Sequence, residues 1–226
     1  MATNNHFSPV RRFVSLVAAV SLCFPAAISP AVMAAAAAAP SLTLVPGGRL
    51  WLTGDSTLHA YSVQATQFDA AADFDAAFPA GAAEARAAVA GGGLKNLRIS
   101  VPVAGLKSGE SGLDKNLEKA LKQDAAPVIR FTVADYQTED AKDGGLLVKA
   151  HGKLSLAGVE KDAEVDGTCR FAAGEVEVTG ATDLLMSDFG IKPPVLMLGA
   201  IKTADKVVVH FDIKLKPLAA TQASNR

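Results

Sequence analysis

Val207, Val209, Phe211, Ile213 and Leu215 alternate with Lys206, His210, Asp212 and Lys214, with Val208 the single apolar residue on the polar side. A helix would scatter these apolar side chains around its axis. A strand puts residues i, i+2 and i+4 on one face, so the order demands a strand with one side buried and one in water. The same period recurs along the chain. Leu97, Ile99, Val101 and Val103 alternate with Arg98, Ser100 and Pro102, and Ile129, Phe131 and Val133 with Arg130 and Thr132. Leu146, Val148 and Ala150 begin another strand, which Gly152 is expected to kink before Leu154 and Leu156. Val176 and Val178 alternate with Glu175, Glu177 and Thr179. Gly144-Gly145, Gly158 and Ala173-Gly174 supply turns between the runs. About eight such strands predict an antiparallel sandwich or barrel.

One segment follows the other period. Leu113, Leu117, Ala120 and Leu121 recur at three- and four-residue steps, while Lys115, Glu118, Lys119 and Lys122 face outward. Ser111 is the expected N-cap, Asp114 suits the first turn, and Pro127 separates the helix from the next strand. The alanine- and glycine-rich stretch 78–93 reads equally as a loose helical insertion or a loop.

Before the first strand, residues 1–34 have the layout of a secretory signal. Arg11 and Arg12 precede an apolar run from Phe13 to Met33, with a small-residue exit at Val32-Met33-Ala34. Pro25 and Pro30 interrupt that run, against the ~20 apolar residues a membrane-spanning helix needs. The expected organisation is a signal over 1–34, a flexible leader over 35–45, one barrel domain over 46–217 and a disordered tail over 218–226. The expected location is the periplasm or the medium. Without Cys23, Cys169 is the lone cysteine, so no internal disulfide is expected. The formal net charge is −1 with both signs interspersed, which offers no basic face for nucleic acid.

Gly54-Asp55-Ser56, with His59 three residues on, looks like the nucleophile block of a serine hydrolase. Such an enzyme carries its serine in an αβα sandwich with alternating strands and helices, and takes its histidine from a late Asp-x-x-His. Neither is present: His210 follows Asp205 at the wrong spacing, on the polar face of a strand. The G-x-S-x-G elbow is missing too. The stretch is therefore read as a bend or bulge in which Gly relaxes the backbone and Asp and Ser bond it. His59, His151 and His210 stand singly, without the spacing of a metal site. No catalyst, metal or cofactor is expected.

An eight-stranded barrel either fills its interior with side chains or holds one small apolar ligand, and periodicity leaves both open. Small residues at Ala60, Ala65, Ala150 and Gly180 are expected to leave room. A barrel in water is expected over an outer-membrane barrel, since the outer faces carry Arg98, Arg130, Lys149, Glu175, Glu177, Asp212 and Lys214, which would be costly in lipid, and aromatics are scarce.

Four blocks resemble the YceI-like family of exported bacterial proteins regarded as lipid- or polyisoprenoid-binding. They are LTGDSTLHAYSV at 52–63, SGLDKNLEKALKQDAAPVIRFTV at 111–133, GKLSLAGVEKDAEV at 152–165, and LLMSDFGIKPPVLMLGAIKTADKVVVHFDIKL at 184–215. The resemblance implies an all-β fold, an extended lipocalin-like antiparallel eight-stranded barrel with one short helical insertion. It also implies a carrier role, with a polyisoprenoid or quinone-like lipid in the lumen and no enzymatic activity. The alternative is a filled barrel acting through its surface as a structural or stress-associated module. Candidate ligand contacts are His59, Tyr61, Val63, Ile99, Val101, Leu117, Leu121, Phe131, Val133, Val148, Val178, Phe189, Val209 and Phe211. Phe189 either packs under the loop stiffened by Pro193 and Pro194 or covers the tunnel mouth. Trp51 is expected as a core or rim anchor, and the Leu113–Leu121 face as a wall or lid. Expected partners are the apolar lipid itself, a membrane contacted transiently, and a second copy in a homodimer.

Overall fold

The computed structural model describes residues 42–75, 77–172, 174–196 and 200–218. Its twelve strands run β1 (Leu42–Leu44), β2 (Arg49–Ser56), β3 (Tyr61–Ala65), β4 (Asp69–Phe74), β5 (Leu94–Pro102), β6 (Leu106–Lys107), β7 (Val128–Asp140), β8 (Leu146–Leu156), β9 (Val159–Ala172), β10 (Glu175–Leu185), β11 (Val195–Leu196) and β12 (Ile201–Pro217). Helix α1 (Ala82–Ala90) falls between β4 and β5, and α2 (Ser111–Ala120) between β6 and β7.

Every pairing is antiparallel. β1 and β2 lie end to end along β12, at Leu215–Pro217 and Thr203–Asp212 respectively. β3 pairs with β2 and β6, while β4 pairs with β1 and β5. Each of these couples makes one stave. With β7, β8, β9, β10 and β12 they form an eight-stave meander that β12 closes onto the first stave. Closure leaves the staves without open edges.

Bulges bend the wall where the register slips, between Val133 and Asp135 on β7 and between Thr203 and Val207 on β12. β8 and β9 meet in a two-residue turn, Ala157-Gly158, with φ of 52° and 79°. Both angles lie in the left-handed region that the tight hairpin turn requires, which suits Gly158.

Several expectations change. Leu42–Leu44, placed in the leader, is a strand: Leu42 is buried at 2 % exposure and the segment pairs with both β4 and β12. An apolar alternation of only three residues is too short to read locally. Residues 1–34 of the expected signal and 219–226 of the tail lie outside the described residues. The helical insertion is double, since Ala82–Ala90 is also helical and ends where the Gly91 N–H donates to the Ala87 carbonyl at 2.9 Å. Ser111 is the first helical residue of α2, not its cap; Glu110 precedes it without a side-chain cap bond. Asp114 instead accepts from the Ser108 N–H at 2.7 Å and the Ser108 hydroxyl at 2.6 Å. Those bonds hold its carboxyl below the usual range. β8 runs through Gly152, and the register slip with β7 falls there, between the Val133–Gly152 and Asp135–His151 pairs; a Cβ at Gly152 would collide with the Thr132 carbonyl oxygen.

Candidate functional site

The inward faces do not meet at the centre. They enclose a cavity of about 600 Å³, walled over most of its length by Leu, Ile, Val, Ala and Phe. The whole predicted face of β12 takes part: Val207, Val209, Phe211, Ile213 and Leu215 all line it. Alternation on a closed wall gives this directly, because each strand turns every second side chain inward.

The two helices cover opposite ends. α1 turns Val89 into the cavity, beside Phe74, Leu94, Val148 and Cys169. It is held there by polar clamps. The Arg86 guanidinium donates to Asp140 at 2.5 Å and to the Gly144 carbonyl at 3.0 Å. The Tyr136 hydroxyl donates to the Val89 carbonyl at 2.8 Å and accepts from the Leu94 N–H at 3.1 Å. Half-burial raises the Tyr136 pKa, which keeps that hydroxyl a donor at neutral pH. At the other end α2 presents Leu113, Leu117 and Ala120, followed by Leu121. None of the residues of α2 is fully buried, since its apolar face looks into the cavity. Leu58, 66 % exposed, sits at this rim and also lines the cavity.

Thirteen of the fourteen candidate contacts line the cavity: His59, Tyr61, Val63, Ile99, Val101, Leu117, Leu121, Phe131, Val133, Val148, Val178, Val209 and Phe211. Phe189 does not. It lies in a single turn of 3-10 helix, Met186–Phe189, and packs at 3 % exposure in the apolar cluster with Leu121, Leu154 and Ile191. The Lys161 ammonium stands 6.0 Å from its ring centroid. The turn rotates the side chain out of the strand alternation, so it supports the wall from behind. Phe211 has a particular seat, with its ring over Gly180 and Gly167 of the neighbouring strands. Gly180 therefore makes room for Phe211 and not for a ligand. Ala60 is exposed, and Ala65 is buried in the core beside Val63.

Lining residues that sequence reasoning missed include Phe74, Val89 and Leu94, from the stretch around α1, and Thr203 opposite Ser56. An alanine-rich helix carries almost no amphipathic contrast, so Val89 gave no local signal.

Ser56 ends β2, and the bend follows at Thr57-Leu58. Its hydroxyl donates to the His59 carbonyl at 2.8 Å and accepts the N–H groups of Leu58 and His59 at 3.2 Å each. That is a serine turn with its hydroxyl spent on backbone. The His59 Nδ1 lies 2.8 Å from the Ala60 carbonyl. His210 lies across the wall, stacked on Trp51 at 5.1 Å and 3.0 Å from the Thr53 hydroxyl. No imidazole among the described residues bonds Ser56. Among the described residues no group of three His, Cys, Asp or Glu side chains is placed to hold a metal ion.

A closed eight-stave antiparallel barrel with an apolar lumen defines the class: a lipocalin-like β-barrel. The particular family follows from the sequence, because residues 52–215 match the model of the YceI-like domain. The chain belongs to the YceI-like family. Solved structures share the fold at low identity. BcnA of Burkholderia cenocepacia superposes with a TM-score of 0.56 at 15 % identity, over 74 % of this chain and 95 % of that one. A domain of Saccharophagus degradans described as polyisoprenoid binding and implicated in plant cell wall breakdown gives 0.58 at 12 %, over 80 % and 100 %. The YceI protein of Campylobacter jejuni gives 0.50 at 18 %, over 67 % and 82 %. No curated protein sequence matches the chain.

Proposed function

We propose that this protein holds a long-chain apolar lipid, polyisoprenoid or quinone-like, in its lumen and carries it through an aqueous compartment outside the cytoplasm. The observation that carries the reading is the cavity of about 600 Å³ with an aliphatic wall in which, among the described residues, Glu110 is the single Asp, Glu, Lys or Arg side chain. Its size falls in the range of about 300–1,000 Å³ usual for small-molecule sites. A wall with so few polar partners rewards a ligand that needs none, and each buried CH₂ contributes about 0.8 kcal/mol. Affinity then rises with tail length until the cavity is full. The polyisoprenoid-binding description of the Saccharophagus degradans domain supports the same ligand class. The signal-like segment over 1–34 supports export to the periplasm or medium.

The test is mass spectrometry of an organic extract of the purified protein, beside an unrelated exported protein. A stoichiometric polyprenyl or quinone species establishes the carrier role and names the cargo. A clean extract, repeated after expression with such lipids abundant, overturns it.

A further inference from the structure

The proposed lipid role leaves the head of the ligand open, and the distribution of polar atoms in the wall addresses it. Around α1 the wall is hydrocarbon apart from the Cys169 thiol. Most polar side chains gather towards α2, where Ser56, His59, Tyr61, Glu110, Asn116 and Thr203 line the cavity, while Thr182 on β10 spends its hydroxyl on the Glu164 carbonyl. A ligand with one polar end therefore lies with its tail against α1 and its head beneath α2, since the reverse would strip water from the head without replacing its hydrogen bonds.

Several of these groups are unspent. Among the described residues the Tyr61 hydroxyl, the Asn116 amide and the Thr203 hydroxyl make no side-chain hydrogen bond. His59 is oriented as well. Its Nδ1 faces the Ala60 carbonyl at 2.8 Å, and a carbonyl only accepts, so Nδ1 carries the proton. In the neutral ring Nε2 is then a lone-pair acceptor, while Tyr61 and Asn116 supply donors. That combination answers a group that both donates and accepts.

Charge narrows the class further. Among the described residues no lysine or arginine lines the cavity, and Glu110 adds a negative charge at the head end. A phosphate or diphosphate would place its charge beside that carboxylate with no cationic partner to balance it. We infer that the ligand of this barrel carries an uncharged, hydroxyl-bearing head, held under α2 by His59, Tyr61 and Asn116, and not a phosphorylated one. The inference rests on the lumen being a lipid site.

Trp51, the one tryptophan of the chain, is stacked on His210 on the outer face of the wall, so occupancy is read from the bound ligand itself. The protein is titrated with geranylgeraniol, with geranylgeranyl diphosphate and with the matching hydrocarbon that lacks a head; co-elution on gel filtration is measured by mass spectrometry. The alcohol is expected to bind at least about tenfold more tightly than the diphosphate, a difference of about 1.4 kcal/mol. In Asn116→Leu and His59→Phe the alcohol should weaken several-fold while the hydrocarbon is unchanged, which also shows that the variants are folded. Diphosphate binding as tight as that of the alcohol, or equal loss of alcohol and hydrocarbon in the variants, overturns the head assignment and leaves the lipid cavity standing. If none of the three ligands binds, the carrier reading itself fails.

Discussion

The ring of Phe211 lies over the bare backbone of Gly180, its cross-strand partner, in the space where any other residue would carry a Cβ. The Asp166 carbonyl oxygen crowds the same point from the other side. One glycine thus lets an aromatic ring lie flat against the wall, where otherwise it would stand across the lumen.

Gly180→Ala should therefore cost about 1–3 kcal/mol, because both neighbours must move and one is backbone. Gly152→Ala, whose Cβ would meet the Thr132 carbonyl, should behave alike. Gly112→Ala in α2 is the contrast: nothing lies within 4 Å of its Cβ position, and alanine favours a helix by about 0.8–1.0 kcal/mol. Urea denaturation of the three variants checks the order. A neutral Gly180→Ala would show that the ring shifts freely.

Filling the lumen separates binding from folding. Ala150 lines the cavity beside Val148 and Val133, and Ala150→Phe places a ring where the tail would lie. Lipid recovered in the extract should fall at least about tenfold, with the far-ultraviolet circular dichroism of the barrel retained. Unchanged lipid occupancy in a folded Ala150→Phe would move the ligand out of this cavity.

His151 stands on the outer wall between two carboxylates, 2.8 Å from Glu164 and 3.0 Å from Asp135. The Glu164 hydrogen bond and then the Asp135 one raise its pKa above the ordinary 6.5. Lys149 and then His151 lower that of Glu164 below 4.5. The raised histidine contributes stability that is full below about pH 6.5 and fades as pH rises through its folded value. The lowered carboxylate contributes above about pH 4.5 and fades as pH falls through its own. Both act together between those limits. Proton NMR titration should find His151 midpoints above 6.5 in the wild type and nearer 6.5 in Glu164→Gln. The groups are open to solvent, so the effect on overall stability is small.

Cys169 packs with Leu146 and Val89 beside the α1 end of the cavity, and burial pushes its thiol up to about 12. At neutral pH it stays protonated and unreactive. Alkylation by iodoacetamide, mapped by peptide mass spectrometry, should miss Cys169 in the native protein and reach it in urea. Rapid native labelling would mean that the α1 end opens.

The barrel staves were legible because alternation is a local property. Val207 to Leu215, Ile129 to Val133 and Leu97 to Val103 each state their buried face within a few residues, and a strand must turn that face one way. The Leu113–Leu121 face of α2 was legible for the same reason at the helical period. The lining role of thirteen candidate residues followed from the period together with the resemblance of the four blocks to a known family. Other features depend on distant parts of the chain meeting. Leu42–Leu44 is a strand only because β12 and β4 flank it, and α1 stays at its end of the barrel through Arg86 and Tyr136, which reach partners on other elements. Phe189 could be read as packing under its loop or covering the tunnel mouth, and only the 3-10 turn Met186–Phe189, which buries it in the core, decided between them. The polar cluster beneath α2 draws His59, Asn116 and Thr203 from three separate segments. Periodicity specifies which side of each strand faces inward; only closure of the barrel decides what those inward sides meet.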